Sequence, residues 1–272
     1  MASTPHLNQE EIRSTESATQ MLYVLHGVYG AGRNWSSVIR RFVRSRPAWN
    51  ARLLDLRQHG LSQGFPPPHT IEAAAHDVED LAEHLGEEPA AVLGHSFGGK
   101  VALMYARHHG DELKQVWVID STPEARTPDG SAWRMLEIIR NTPREFESRE
   151  QLIGLLEQER VERPTAQWMA TNLENRDGVY VWRFDFDSIE ALLRSFFEED
   201  LWDVLESPPP QMEIHLVKAQ QSSVLSPAAI ARVQEIGSRN GRVFLHQVTG
   251  GHWVNAENPE ALLALMNSHM KD

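Results

Sequence analysis

A serine between closely spaced glycines is the feature of this sequence that most directly suggests chemistry. Residues 94–98 read Gly-His-Ser-Phe-Gly, a G-x-S-x-G pattern centred on Ser96. An apolar run at 90–93 predicts a buried strand before the pattern, and residues 100–109 predict a helix after it. A strand, a sharp turn and a helix in this order form a nucleophile elbow, in which the glycines let strand and helix pack closely beneath an exposed hydroxyl. The free N–H groups at the start of the helix face any anion that forms beside Ser96, so we predict that Ser96 is a catalytic nucleophile.

The base that such a serine needs is predicted to be His252. A serine hydroxyl is a weak nucleophile at neutral pH, so a histidine must accept its proton and a carboxylate must orient that histidine. Of the 13 histidines, only His252 lies in a glycine-flanked loop after the last predicted strand. In chains with a nucleophile elbow the histidine follows the nucleophile and the acid in chain order. His95, beside the nucleophile, is expected to point away from it.

Two backbone N–H groups are expected to hold the oxyanion that forms during the attack. One is that of Phe97, the residue after the nucleophile. The other belongs to the loop after the strand predicted at 21–25, where residues 26–30 read His-Gly-Val-Tyr-Gly. Val28 is the candidate donor in that loop. We therefore predict that Val28 and Phe97 form the oxyanion hole through their backbones.

The elements that must position these residues alternate along most of the chain. Amphipathic helices separate the predicted strands, which lie at 21–25, 51–54, 90–93, 115–119, 213–219 and 242–248. The alternation predicts an α/β fold with a mostly parallel central sheet that is flanked by helices on both faces. Residues 1–19 carry at most one short edge strand.

The alternation stops between about Pro123 and Pro210, where only helical patterns with interleaved aromatic residues are found. We predict an inserted helical cap at residues 123–210, and a core of residues 1–122 and 211–272. Most of the aromatic side chains should form the core of the cap, while a few line an apolar pocket above Ser96. The residues predicted to line the substrate pocket are His26, Tyr29, Trp182 and Trp253.

Composition and charge narrow the classes of partner. The 272 residues include 38 acidic and 26 basic side chains, a net charge of −12, which disfavours nucleic acid and anionic membranes as partners. The absence of cysteine rules out disulfides and thiolate metal sites. No apolar run approaches a membrane span and no signal core is found at the start, so a cytoplasmic monomer or homodimer is expected. No metal site is expected, since the adjacent His108 and His109 face different sides of a helix.

Four motifs together resemble the α/β-hydrolase fold. They are Leu-His-Gly at 25–27, Asp-Leu-Arg-Gln-His-Gly-Leu-Ser at 55–62, Gly-His-Ser-Phe-Gly-Gly-Lys at 94–100 and Gly-His-Trp at 251–253. More narrowly, the chain resembles the esterase subgroup that contains YbfF-type bacterial acyl esterases and the abhydrolase domain-containing protein eleven. The resemblance extends from about Leu22 to the C-terminus. It implies hydrolysis of short to medium acyl esters or thioesters without a cofactor.

The chain departs from the common pattern of this fold at the triad acid. Most α/β-hydrolases carry an aspartate after the strand that follows the cap, but here residues 219–224 read Ala-Gln-Gln-Ser-Ser-Val, with Ser223 at that position. The resembling subgroup has a Val-Asp-x-x-Pro pattern, which is matched by Ile-Asp-Ser-Thr-Pro at 119–123. Because Asp120 also ends the strand after the elbow, we predict that it is the acid; the alternative is a hinge residue that caps the turn before a proline. Asp55 is expected to hold Arg57 or the loop backbone.

These residues predict a serine hydrolase that acts on a small-molecule carboxylic ester. Ser96 would attack the acyl carbon, His252 would move the proton, Asp120 would orient His252, and water would resolve the acyl-enzyme. Within enzymes, the same scaffold supports perhydrolysis, thioesterase action and carbon–carbon bond hydrolysis. Outside them, it supports a ligand receptor that keeps the triad but does not turn over.

Overall fold

The computed structural model of the chain describes residues 6–14 and 18–271. Its strands are β1 (Gln9–Ile12), β2 (Gln20–Leu25), β3 (Trp49–Leu54), β4 (Ala91–His95), β5 (Gln115–Ile119), β6 (Glu145–Phe146), β7 (Leu173–Arg176), β8 (Val179–Trp182), β9 (Glu213–Ala219) and β10 (Val243–Val248). Its helices are α1 (Ser36–Ser45), α2 (Ile71–Leu85), α3 (Phe97–His109), α4 (Gly130–Arg140), α5 (Arg149–Gln158), α6 (Arg163–Ala170), α7 (Phe186–Glu198), α8 (Trp202–Glu206), α9 (Pro227–Asn240), α10 (Val254–Glu257) and α11 (Pro259–His269). Within these described ranges, none of the helices has the length and apolarity to cross a membrane.

The central sheet has seven strands among the described residues, in the order β1-β3-β2-β4-β5-β9-β10. Every neighbouring pair is parallel except β1 and β3, which are antiparallel. The middle strands β2, β4 and β5 are buried almost throughout, as expected for a sheet that helices cover on both faces. The predicted mostly parallel α/β architecture is confirmed, and the short edge strand is β1. Because the parallel strands all end at one edge, the loops that follow them meet there.

Helix α2 shows how closely local sequence signals define the flanking helices. Thr70 caps its start, with the side-chain oxygen accepting a hydrogen bond from the Ala73 N–H at 3.1 Å. Gly86 ends it in the left-handed conformation, φ +62°, which glycine adopts without a steric penalty. The apolar face packs inward through Ile71, Val78 and other small or aliphatic residues. Polar residues of α2, Glu72 and Glu79, contact His108 and His109 at the end of α3.

The segment between β5 and β9 adds five helices, α4 to α8, and no strand of the central sheet. The prediction that this segment is helical throughout is wrong, because β6, β7 and β8 form a three-stranded antiparallel sheet in the order β6-β8-β7. Asp177 and Gly178, both with positive φ, join β7 to β8. An Asp-Gly pair is a hairpin signal, but the polar residues of β7 before it and the helical patterns on both sides obscure it. Residues 123–210 remain our proposed cap.

Lys100 ties the start of α3 to the segment that we propose as the cap. Its side chain is fully buried, and its ammonium group donates to the carbonyl oxygens of Glu124 at 2.9 Å, Phe196 at 2.5 Å and Glu199 at 2.7 Å. Burial lowers the pKa of Lys100 to about 7. Three N–H donors thus meet three carbonyl acceptors, which satisfies the group despite its burial. The contact holds the end of α7 against the helix that begins at the elbow.

Candidate active site

Ser96 lies in a strained turn between β4 and α3. Its backbone has φ +52° and ψ −115°, a conformation that L-residues rarely adopt, and its N–H donates to the Ile119 carbonyl oxygen at 2.9 Å. A Cβ at Gly94 would lie 2.0 Å from the Gly98 carbonyl oxygen, and a Cβ at Gly98 would lie 2.6 Å from the Leu25 carbonyl oxygen. Strand and helix therefore approach too closely for any side chain at either position. The predicted elbow geometry is present.

Asp120 and His252 are in direct contact at the edge where the parallel strands end. Asp120 Oδ2 lies 2.7 Å from His252 Nδ1. The carboxylate is fully buried on a residue with φ +44°, and its Oδ1 accepts the Ala219 N–H at 3.0 Å. Burial raises the pKa of Asp120, but hydrogen bonds from His252, Ser222 and the Ala219 N–H outweigh it, so the pKa lies below its usual value. An ionised acceptor at Nδ1 favours the tautomer with a free lone pair on Nε2.

Residues at the end of β9 and in the loop after it donate hydrogen bonds to the Asp120 carboxylate. Ser223 lines a cavity beside Ser96. Ala219 and Ser222, four positions and one position before it, both donate to Asp120. The stretch that carries the acid in most α/β-hydrolases therefore supplies hydrogen-bond donors here, a role for Ser222 that the sequence did not reveal.

His95, which was expected to point away from Ser96, contacts the loop that carries His252. Its ring centroid lies 4.7 Å from that of His252, and its Nε2 lies 2.8 Å from the His252 carbonyl oxygen. Burial, and then the proximity of His252, lower the pKa of His95 to about 3. The ring is therefore neutral, and we infer that it donates Nε2–H to hold the histidine loop. The side chain of Glu257 supports the same loop by accepting the Gly251 N–H at 2.6 Å.

In the loop after β2, hydrogen bonds fix the direction of the Gly27 carbonyl group and therefore the direction of the Val28 N–H. The Gly27 carbonyl oxygen lies 2.7 Å from His26 Nδ1 and accepts the Gly30 N–H at 3.0 Å. His26 Nε2 accepts the Leu56 N–H at 3.0 Å, which leaves the proton on Nδ1, and burial lowers the pKa of His26 so that the ring is neutral. In a trans peptide the N–H of the next residue, Val28, points opposite to that carbonyl.

The Asp55 carboxylate accepts hydrogen bonds from the loops after β2 and β3. It accepts the N–H groups of Gly32 at 2.8 Å and Leu61 at 2.9 Å, as well as an amide N–H of Asn8 at 2.9 Å. The structure thus agrees with the expected loop-backbone role. Arg57, the other expected partner, pairs instead with Asp77 at 2.5 Å and 2.8 Å.

Two chambers of about 160 Å³ each lie beside Ser96, and Ser96, Val28 and His252 line both. The first, which we call the polar chamber, is also lined by Phe97, Arg126, Asp129, Phe196, Phe197 and Ser223. The second, which we call the apolar chamber, is also lined by Tyr29, Ala132, Met135, Thr165, Trp168 and Trp253. A groove of about 430 Å³ continues outward past Trp168 and Trp253.

The predicted pocket residues fall into two groups. Tyr29 and Trp253 line the apolar chamber, and His26 lines the outer groove. Trp182 lines neither chamber; its ring packs against Phe184 and other aromatic side chains between α7 and the small sheet. In its place Trp168 of α6 covers the apolar chamber, with its ring centroid 4.5 Å from that of Trp253. Nothing in local periodicity distinguishes these two tryptophans, because their positions depend on the tertiary path of the segment between β5 and β9.

Comparison with known proteins shows which family and which fold the chain is similar to. A family model described as the alpha/beta hydrolase family matches residues 22–265. The chain is 25% identical over 258 residues to the sn-1-specific diacylglycerol lipase ABHD11 of Mus musculus, covering 90% of this chain and 79% of that protein. It is 26% identical over 270 residues to the lipase LipV of Mycobacterium tuberculosis, covering 93% of this chain and 94% of that protein. Among solved structures, a marine microorganism esterase has a TM-score of 0.84 at 21% identity, covering 97% of this chain and 99% of that chain, which shows the shared fold.

Proposed function

The chain belongs to the alpha/beta hydrolase family, and on that premise we propose that it cleaves carboxylic esters of short to medium acyl chains with Ser96, His252 and Asp120. The observation that carries this proposal is the contact of 2.7 Å between Asp120 Oδ2 and His252 Nδ1 beside two chambers that Ser96 lines. A nucleophile, a base and a buried carboxylate are thereby brought to one place from three separate loops. Such a set supports nucleophilic acyl transfer.

The proposed reaction runs in two halves. Ser96 Oγ attacks the ester carbonyl carbon while His252 Nε2 takes the hydroxyl proton, and the resulting oxyanion accepts hydrogen bonds from the backbone N–H groups of Val28 and Phe97. The bond to the alcohol oxygen then breaks, and the alcohol leaves with the proton from His252. Water, deprotonated by His252, attacks the acyl carbon and releases the carboxylic acid and free Ser96. Asp120 keeps Nδ1 protonated and stabilises the imidazolium in both halves.

The test is turnover of p-nitrophenyl esters from acetate to laurate. Because each chamber beside Ser96 has only about 160 Å³, we expect kcat/KM to be highest for short acyl chains and to fall toward laurate. Labelling with a fluorophosphonate, which reacts with activated serines, measures the number of reactive serines per chain. Labelling without ester turnover would favour a ligand receptor, and preference for an acyl thioester would favour a thioesterase. If the folded protein shows no labelling and no turnover, the proposal is contradicted.

Arg126 places a guanidinium group in the wall of the polar chamber, which Asp129 also lines. Its Nε is buried without a hydrogen-bond partner, and Nη1 donates to the Val224 carbonyl oxygen at 3.3 Å. The nearest carboxylate contact of Nε, with Asp129 at 3.8 Å, is longer than a hydrogen bond. The guanidinium also lies over the ring of Phe197 at 5.4 Å from the centroid. We propose that this group receives a carboxylate carried by the preferred substrate.

The corresponding prediction compares p-nitrophenyl hemisuccinate with p-nitrophenyl valerate, which differ chiefly in a terminal charge. Arg126→Met should lower kcat/KM for the hemisuccinate about ten-fold or more, because a charge-assisted hydrogen bond is lost, and should change the valerate value less than about two-fold. The exposed Arg134→Met is the control for the loss of one positive charge. If Arg126→Met lowers kcat/KM equally for both esters, Arg126 supports the structure of the chamber and does not bind a substrate carboxylate.

A further inference from the structure

A cluster of two histidines and one glutamate lies where α2 and α3 run side by side, outside the proposed active site. Glu72 and His76 are one turn apart on α2, and His108 lies near the end of α3. Glu72 Oε1 is 3.3 Å from His76 Nε2 and 3.0 Å from His108 Nε2. Atoms that can bind a metal, one from each of the three side chains, lie within 4.8 Å of one another. We propose that this cluster is a binding site for a divalent transition metal, with Zn²⁺ as the best-suited ion.

The distances suit a tetrahedral ion. Ligands at about 2.0–2.1 Å from Zn²⁺ in tetrahedral geometry stand about 3.3 Å from one another. Both contacts of Glu72 already lie near that separation. The rings of His76 and His108 are stacked with centroids 5.5 Å apart, so only small rotations of two partly exposed side chains are needed to bring both Nε2 atoms onto one ion. Two imidazoles and a carboxylate, with water at the fourth position, form a donor set that suits Zn²⁺.

The second nitrogen of His76 supplies an independent argument. His76 Nδ1 lies 2.9 Å from Glu79 Oε2, one turn further along α2. A metal-binding histidine commonly donates its other ring N–H to a carboxylate, which fixes the tautomer and directs the remaining lone pair at the ion. Here the bond to Glu79 leaves Nε2 of His76 free to face Glu72 and His108. The cluster therefore contains both a set of ligands and a residue that orients one of them.

Sequence spacing alone does not reveal this site. The expectation of no metal site considered His108 and His109 within one helix only, whereas both contact carboxylates of the neighbouring helix α2. His109 in fact contacts Glu79 and Glu112, while His108 contacts Glu72 of the neighbouring helix. The ligands thus come from two helices, and an ion would join them. Because His108 lies 12 residues after Ser96 along a helix that rises about 1.5 Å per residue, the ion would act on stability rather than on the ester.

The test is binding of Zn²⁺ to the full chain, measured by calorimetry and by competition with a chromophoric chelator. We expect one tightly bound ion per chain, a rise in Tm when Zn²⁺ is added, and no such rise with Mg²⁺. His108→Gln and Glu72→Gln should each weaken binding about ten-fold or more, because each removes one of three ligands. His84→Gln, an exposed histidine on the same helix, should leave the affinity unchanged.

Two results would overturn the proposal. One is the absence of Zn²⁺ binding by the parent protein. The other is binding that survives in both His108→Gln and Glu72→Gln but is lost in His252→Ala, which would place the ion at the active site. Circular dichroism of every variant checks that it is folded, and since Glu72 and His108 are surface residues, we expect their replacement to leave the fold intact.

Discussion

We expect Ser96→Ala to lower kcat for p-nitrophenyl butyrate by about 10⁴-fold or more, because the variant lacks the proposed nucleophile that would form the acyl-enzyme. The variant should retain the parental Tm within a few degrees, since the hydroxyl is a small group beside open chambers and the strained backbone is held by Gly94, Gly98 and the Ile119 carbonyl. Steady-state kinetics with active-site labelling by a fluorophosphonate measures the effect. The label should not attach to the variant.

Ser131→Ala is the matched control for this prediction. Ser131 lines both chambers beside Ser96, so its replacement removes a hydroxyl from the same cavity without removing the proposed nucleophile. We expect its kcat to stay within about three-fold of the parent, as for a surface-accessible side chain with no role in proton transfer. If Ser96→Ala keeps a substantial part of the parental kcat while Ser131→Ala does not, the assignment of the nucleophile is wrong.

We expect Asp120→Asn to lower kcat by about 10³- to 10⁴-fold, because a neutral amide would neither stabilise the proposed imidazolium nor enforce the Nδ1–H tautomer of His252. The residue is fully buried and accepts hydrogen bonds from the Ala219 N–H, Ser222 and His252, so its carboxylate is also part of a satisfied network. KM should change much less than kcat, since Asp120 lies behind the histidine and lines neither chamber.

Ser223→Ala distinguishes the two positions at which this fold could carry an acid. Ser223 lines the polar chamber, so the variant should alter kcat/KM by no more than about three-fold. Far-ultraviolet circular dichroism and thermal unfolding should show that Asp120→Asn is folded. A folded Asp120→Asn enzyme with a parental kcat would show that another carboxylate orients His252.

The two predictions depend on different amounts of structural knowledge. Ser96 follows from the sequence because the elbow is local: five consecutive residues define the turn, and Gly94 and Gly98 are required by backbone contacts within and beside it. The acid is a long-range problem. Asp120 and His252 are 132 positions apart, and the pairing depends on which strands are neighbours in the sheet.

The contrast between Trp168 and Trp182 shows why the pocket is harder to predict than the nucleophile. Both are aromatic residues of the segment between β5 and β9, and both meet the general expectation of an apolar pocket wall. The small sheet formed by β6, β7 and β8 draws Trp182 into an aromatic cluster, while α6 places Trp168 against Trp253. Side-chain type is the same, and only the tertiary path of the chain separates the two roles.

The alternation of strands and helices, the elbow at Ser96 and the candidate base His252 can be predicted without coordinates, because they depend on hydrophobic period, glycine positions and chain order. Three further contacts emerge from the folded chain alone: His95 holds the histidine loop, Ser222 donates to Asp120, and Arg126 lines the polar chamber. Each of these contacts joins residues from different loops or helices. Their geometry depends on the packing of whole elements, which no local pattern encodes.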